Sequence, residues 1–145
     1  TPRSTLFPYT TLFRSGKKAA KSTITCTVKG VKLKTTFTVK KYTNPCKTFK
    51  IGKTNLLLKF NKNDVLRTNK AFKKQKLDIK LKSGWKISSV HVTSGTGSYN
   101  NYRVNKSSFS KKITVSNNYG YIYVYCYNEK TKVSECLQIN TSTRY

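Results

Sequence analysis

Apolar and polar residues alternate along much of this chain, which is the pattern of half-buried β-strands. The clearest case is residues 77–81 (LDIKL), where aliphatic side chains occupy every second position. A period of two places successive side chains on opposite faces of a sheet. The Ser83-Gly84 pair then predicts a turn, and residues 85–92 predict the next strand.

Other segments of the same kind lie before and after these two strands. Phe49 and Ile51 alternate with lysines, residues 56–60 form a short apolar run, residues 110–116 alternate, and residues 120–127 and 133–140 predict a final hairpin. Roughly six or seven short strands at this spacing favour an all-β fold, an antiparallel Ig-like β-sandwich, in residues 43–145. The predicted core includes Leu77, Ile79, Trp85, Ile122 and Val124.

A separate hairpin is predicted nearer the start of the chain. Ile24, Cys26 and Val28 alternate with threonines, Lys29-Gly30 supplies a tight turn, and residues 31–39 form the returning strand. A two-stranded ribbon buries too little apolar surface to be stable alone in water. The segment 42–45 (YTNP) reads as a linker, because Pro45 interrupts strand pairing.

The residues of this hairpin resemble a known family. The runs 19–28 (AAKSTITCTV) and 34–41 (KTTFTVKK), joined through Lys29-Gly30, are similar to the last hairpin of a bacterial Ig-like domain, group 2. The resemblance covers residues 16–42, with Ala19-Ala20 where the family usually has Ala-Gly. It implies a truncated Ig-like domain followed by a second Ig-like module. It further implies an extracellular, secreted or cell-wall-attached protein whose partners are neighbouring Ig-like domains of the same chain.

Residues 1–15 (TPRSTLFPYTTLFRS) have a different character. They resemble a translated sequencing adapter, so we expect the native sequence to begin near Gly16. Their longest unbroken apolar stretch is too short for a membrane span or a signal-peptide core. We therefore expect this segment to be non-native and leave it out of the fold prediction.

The high positive charge of the chain makes anionic molecules candidate partners. The chain has 30 Lys and Arg against four acids, a net charge of +26. Such a charge raises nucleic acid as a partner, because lysines contacting phosphates dominate non-specific affinity. The lysines recur at roughly every fourth or fifth position instead of forming one cluster, which favours solvated strand faces that oppose edge pairing. Nucleic acid is disfavoured, whereas an anionic cell-wall polymer or a glycan remains open.

The four cysteines show no metal-site spacing. Cys26, Cys46, Cys126 and Cys136 lack the close pairs typical of zinc sites. Strand alternation places Cys126 and Cys136 on opposite faces of the final hairpin, where they cannot bond without a bulge. Whether any two of the four form a disulfide stays open at the level of sequence.

The candidate binding residues are tyrosines. Every second residue from Tyr119 to Tyr127 is a tyrosine, which predicts five rings on one sheet face and leaves Ile122, Val124 and Cys126 for the core. Such a row can stack on sugar rings, with Tyr121, Tyr123 and Tyr125 as the candidate ligand-binding residues. The alternative is a solvated face whose rings are covered by the stems of neighbouring lysines.

The sequence shows no set of residues that is typical of an enzyme active site. His91 is the single histidine and no nucleophile–base arrangement accompanies it. Glu129 and Glu135 lie among lysines in the sequence, which would keep both carboxylates ionised and unfit as a general acid. We therefore expect no enzyme activity, no metal site and no cofactor. The predicted function is an extracellular spacer or adhesion module, and the alternative is a module that binds glycan or anionic wall polymer through a Tyr/Lys sheet face.

Overall fold

A computed structural model describes residues 20–95 and 97–141 of the chain. The adapter-like segment 1–15 and the first residues of the hairpin resemblance, 16–19, lie outside the described residues. The chain divides into two units between Tyr42 and Thr43.

The first unit contains an antiparallel hairpin of β1 (Ala20–Val28) and β2 (Val31–Val39). Lys29 and Gly30 connect the strands, with φ values of 49° and 81°. Two successive positive φ values define the tight turn whose twist matches that of the flanking strands. The predicted turn is confirmed.

One face of this hairpin carries the apolar side chains and the other carries threonines and lysines. The register pairs Cys26 with Leu33 and Val28 with Val31, so these residues share a face. Its large apolar residues remain 40 to 60 % exposed: Ile24, Val28, Val31, Leu33 and Phe37. The alternation read from the sequence is confirmed, and the apolar face it creates is open to solvent.

The second unit is a sandwich of two sheets. Its strands are β3 (Cys46–Ile51), β4 (Thr54–Asn55), β5 (Val65–Thr68), β6 (Phe72–Leu81), β7 (Trp85–Thr93), β8 (Tyr99–Lys106), β9 (Ser108–Val115), β10 (Gly120–Asn128) and β11 (Ser134–Thr141). The sheet orders are β4-β3-β6-β9 and β5-β11-β10-β7-β8. All neighbouring strands are antiparallel except β5 and β11, which are parallel. The all-β class is confirmed, and the architecture is compatible with an Ig-like fold.

The core lies between the two sheets. Leu77 and Ile79 lie on β6 in one sheet, Ile122 and Val124 lie on β10 in the other, and all four are fully buried. Trp85, at the start of β7, is 8 % exposed. The predicted core is therefore confirmed.

Three strands of the sandwich are not evident from the sequence: the two-residue strand β4, and β5 and β8. β5 and β8 are edge strands of the five-stranded sheet, and β8 (YNNYRVNK) has no apolar residue fully buried. An edge strand is held mainly by backbone hydrogen bonds to its single neighbour, so its side chains need not alternate clearly. The described sandwich has nine strands, more than the six or seven predicted.

Thr43, the first residue of the sandwich unit, and Thr141, its last described residue, lie near opposite ends of β11. At one end, the Thr43 N–H donates to the Glu135 carboxylate, close to the start of β11. At the other end, Thr141 is the last residue of the same strand. At about 3.4 Å per residue, the two ends are separated by roughly 20 Å along β11.

Candidate functional site on the five-stranded sheet

The central strand β10 points its tyrosines outwards. Ile122, Val124 and Cys126 are buried, so the alternate residues Tyr121, Tyr123 and Tyr125 lie on the outer face of the five-stranded sheet. Tyr119 precedes the strand and has a φ of 55°, which breaks the alternation. The prediction of five tyrosines in one row is therefore wrong at Tyr119, because the strand begins only at Gly120.

Polar, uncharged side chains flank these three tyrosines. On the β11 side, Tyr121, Tyr123 and Tyr125 pair with Asn140, Gln138 and Cys136. On the β7 side, the same tyrosines pair with Thr93, His91 and Ser89. The direct cross-strand partners of these three rings are therefore amides, hydroxyls, a thiol and an imidazole, and none of them is a lysine. Only Tyr127, near the end of the strand, has a lysine partner, Lys86.

The rings form a continuous aromatic surface. Ring centroids of Tyr121 and Tyr123 are 4.9 Å apart, and those of Tyr123 and Tyr125 are 6.3 Å apart. His91 extends the surface sideways: its ring lies 5.1 Å from that of Tyr125 and 5.8 Å from that of Tyr99. These separations are within the range of favourable aromatic pairs. We call Tyr121, Tyr123, Tyr125, His91 and Tyr99 the tyrosine face.

Hydrogen bonds fix the polar groups of this face. The Tyr99 hydroxyl and His91 Nδ1 are 3.0 Å apart. The Tyr125 hydroxyl hydrogen-bonds the Cys136 thiol. Burial raises the pKa of Tyr123 and of Tyr125, so both hydroxyls stay protonated at neutral pH and can donate a hydrogen bond.

An arginine lies on each edge strand of the same sheet. Arg67 on β5 pairs with Asn140, and Arg103 on β8 pairs with Ser89. Both arginines are exposed. Planar guanidinium groups at the two margins complement the amides and rings between them, because all three groups present flat surfaces and hydrogen-bond donors.

Lysines occupy the opposite surface of the sandwich. On the four-stranded sheet, Lys76 lies directly across from Lys112, and Lys50 lies across from Asp78. Because Leu77 and Ile79 point inwards, Lys76 and Lys80 point outwards from β6. We call Lys50, Lys76, Lys80 and Lys112 the lysine face. The lysine face and the tyrosine face therefore lie on different sheets.

The two glutamates lie in different surroundings. Glu129 forms an ion pair with Lys86, with 2.7 Å between Nζ and Oε1. Glu135 is half-buried next to the entry segment, and burial raises its pKa. The Thr43 N–H, which donates to this carboxylate, opposes the rise in its pKa, and the charge of Asp64 adds to it. The two glutamates are not brought together.

The cysteines are four separate thiols in the structure. Cys126 is buried in the core and Cys136 lies on the outer face, which confirms that alternation separates them. Cys26 is exposed on the hairpin, and Cys46 is buried at the start of β3. Within residues 20–95 and 97–141, no group of three His, Cys, Asp or Glu side chains is placed to hold a metal ion.

The described part of the chain contains no helix that is long and apolar enough to cross a membrane. Comparisons with protein-family models, with curated proteins and with solved structures gave no match. The fold and its faces define a β-sandwich protein.

Proposed function

We propose that this chain is a non-catalytic, extracellular spacer or adhesion module of a bacterial surface or secreted protein built from serial Ig-like domains. The observation that carries the proposal is the placement of Thr43, the first residue of the sandwich unit, and Thr141, its last described residue, at opposite ends of β11. Modules with ends so placed can be joined head to tail and extend a chain across distance.

The hairpin before the sandwich supports the same arrangement. Its apolar face needs further strands to cover it, because a lone ribbon of two strands is marginal in water. We propose that this apolar face is covered by the other strands of a preceding Ig-like domain in the same polypeptide. The resemblance of residues 16–42 to a terminal Ig-like hairpin points to that source.

A spacer module must resist stretching, and we propose that the hydrogen bonds between β5 and β11 supply this resistance. These strands are parallel, and Gln138 N–H donates to the Asp64 carbonyl at 2.8 Å. Tension applied on the N-terminal side passes through β3 and β4 before it reaches the N-terminal side of β5, whereas tension on the other side enters β11 directly at its C-terminal end. The two strands are thus pulled in opposite directions along their length, so their hydrogen bonds must break together.

We expect the sandwich to unfold in one discrete event when the full chain is stretched by its ends. Leu66→Pro removes an amide donor from the middle of β5 and should lower the unfolding force in single-molecule force measurements. Asn101→Pro, on the other edge strand of the same sheet, is the control and should lower the force much less. Gradual extension, or equal effects of the two prolines on the unfolding force, would argue against a spacer that resists tension through β5 and β11.

The tyrosine face favours a second candidate, a glycan-binding function. Aromatic rings stack against the apolar faces of sugars, and the neighbouring amides and hydroxyls match sugar hydroxyls as donors and acceptors. Since no lysine pairs with Tyr121, Tyr123 or Tyr125, this face suits a neutral glycan. An anionic wall polymer instead suits the lysine face.

Replacing Tyr121, Tyr123 and Tyr125 with serine should abolish binding to neutral glycans on an array. The thermal melting curve should change little, because the three side chains lie outside the core. The matched control replaces Lys50, Lys76 and Lys112 with serine; it should retain neutral-glycan binding and weaken salt-sensitive binding to a polyanion. Neutral-glycan binding that survives the tyrosine substitutions would exclude this candidate.

A further inference from the structure

Two buried cysteines enter the core from opposite sheets. Cys46 is the first residue of β3 in the four-stranded sheet, and Cys126 lies on β10 in the five-stranded sheet. Their exposures are 1 % and 2 %. Both side chains therefore point into the space between the sheets.

The two cysteines also lie at the same end of the sandwich. Cys46 is the register partner of Leu81, the last residue of β6, and Cys126 is the register partner of Ile87 near the start of β7. A tight turn at residues 82–84 joins β6 to β7 and carries the chain from one sheet to the other. Each cysteine is consequently next to the same crossing between sheets.

The residues just before Cys46, Thr43 to Pro45, make contacts near both cysteines. The Thr43 N–H donates to the carboxylate of Glu135, and Glu135 is the register partner of Cys126. The Lys82 N–H donates to the Pro45 carbonyl at 2.8 Å, and the Cys46 N–H donates to the Asn44 side chain at 2.9 Å. Thr43, three residues before Cys46, is thus held against β11, the strand next to the one that carries Cys126.

The chemical environments set these thiols apart from the other two. Burial raises the pKa of Cys46 to about 12. Burial, followed by the neighbouring Cys46, raises the pKa of Cys126. Since the thiolate is the nucleophile in disulfide exchange, neither group reacts readily once the core has closed. Any bond between them must form while the chain folds.

We propose that Cys46 and Cys126 are joined by a disulfide between the two sheets when the chain folds in the presence of a small-molecule disulfide oxidant. Each cysteine gives up its S–H bond and one S–S bond forms. The two protons and two electrons pass to the oxidant, for example oxidised glutathione, whose own S–S bond is cleaved to two thiols. The proposal is independent of the tyrosine face and of the spacer function.

The bond would close a loop of about 80 residues, and such a large loop favours strong stabilisation through the unfolded state. It would also fasten the entry strand β3 to the central strand β10 of the opposite sheet. We expect the melting midpoint of chain folded with oxidant to fall by about 10 °C or more when a reductant is present throughout.

The experiment folds the full chain with a mixture of oxidised and reduced glutathione and maps its peptides without reduction. Cys26→Ala/Cys136→Ala, which keeps the buried pair, should show a linked Cys46–Cys126 peptide, a mass lower by two hydrogen atoms, and the reductant-sensitive melting midpoint. Cys46→Ala/Cys126→Ala should lose all three properties.

The Cys26→Ala/Cys136→Ala variant decides the outcome even if the other variant fails to fold. After oxidative folding, the variant is alkylated in denaturant, which labels any free thiol. Labelling of both Cys46 and Cys126 would overturn the proposal. So would a melting midpoint that is insensitive to reductant, or full-length chain in which the linked peptides contain Cys26 or Cys136.

Discussion

Replacing Phe49 with alanine is expected to destabilise the sandwich by about 3–5 kcal/mol. Phe49 is fully buried on β3, and its ring centroid lies 4.6 Å from that of Phe60, which is also fully buried. Removing the ring leaves a cavity between a strand and the 3₁₀ turn Lys59–Asn61, which cannot both move inwards to fill it. Single domains are stable by only about 5–15 kcal/mol, so this loss is a large fraction of the total.

Equilibrium unfolding in urea, followed by circular dichroism, measures this loss. Leu58→Ala is the matched control: Leu58 lies two residues before Phe60 but is 75 % exposed. Its truncation should change the free energy of unfolding by less than about 0.5 kcal/mol. Similar losses for the two variants would mean that Phe49 does not lie in the core.

Gly120→Ala is expected to destabilise the sandwich by about 3 kcal/mol. A Cβ at this position would lie 2.7 Å from the Ser116 carbonyl oxygen and 2.6 Å from Thr141 Oγ1, and it would also collide with Val115. The clash is hard to relieve, because the buried Thr141 hydroxyl binds the carbonyls of both Ser116 and Gly120. Small size, and not a positive φ, is the property required of this glycine.

Gly97→Ala provides the comparison for this prediction. Gly97 has a φ of +92°, and no atom lies within 4 Å of where its Cβ would be. Alanine there meets backbone strain without a collision and should cost about 1–2 kcal/mol. Urea denaturation measures both variants, and a smaller loss at Gly120 than at Gly97 would contradict the packing around Thr141.

The separation of the two outer faces changes how ligand binding should be tested. The sequence suggested one surface on which tyrosines and lysines act together. The register instead places Tyr121, Tyr123 and Tyr125 among amides and hydroxyls, while Lys76 and Lys112 lie across from each other on the other sheet. Neutral glycans and polyanions are therefore distinct ligands with distinct sites, and one set of substitutions cannot test both.

Several features of the candidate site were readable from the sequence. The alternation of tyrosines with Ile122, Val124 and Cys126 fixes which side chains share a face, because that geometry is local to the strand. His91 and Tyr99 could not be assigned to the same site from the sequence. They lie on β7 and β8, and they join the tyrosines only through the pairing of those strands.

Local sequence determined the all-β class, the Lys29-Gly30 turn, the inward-facing residues of the sandwich, and the opposite directions of Cys126 and Cys136. Each of these depends on backbone geometry within a few residues. The tertiary structure alone decided the parallel pairing of β5 with β11, the uncharged neighbours of the tyrosines, and the approach of Cys46 to Cys126 across the core. Strand order and register depend on contacts between residues far apart in the chain, and alternation carries no information about which strand becomes the neighbour of another.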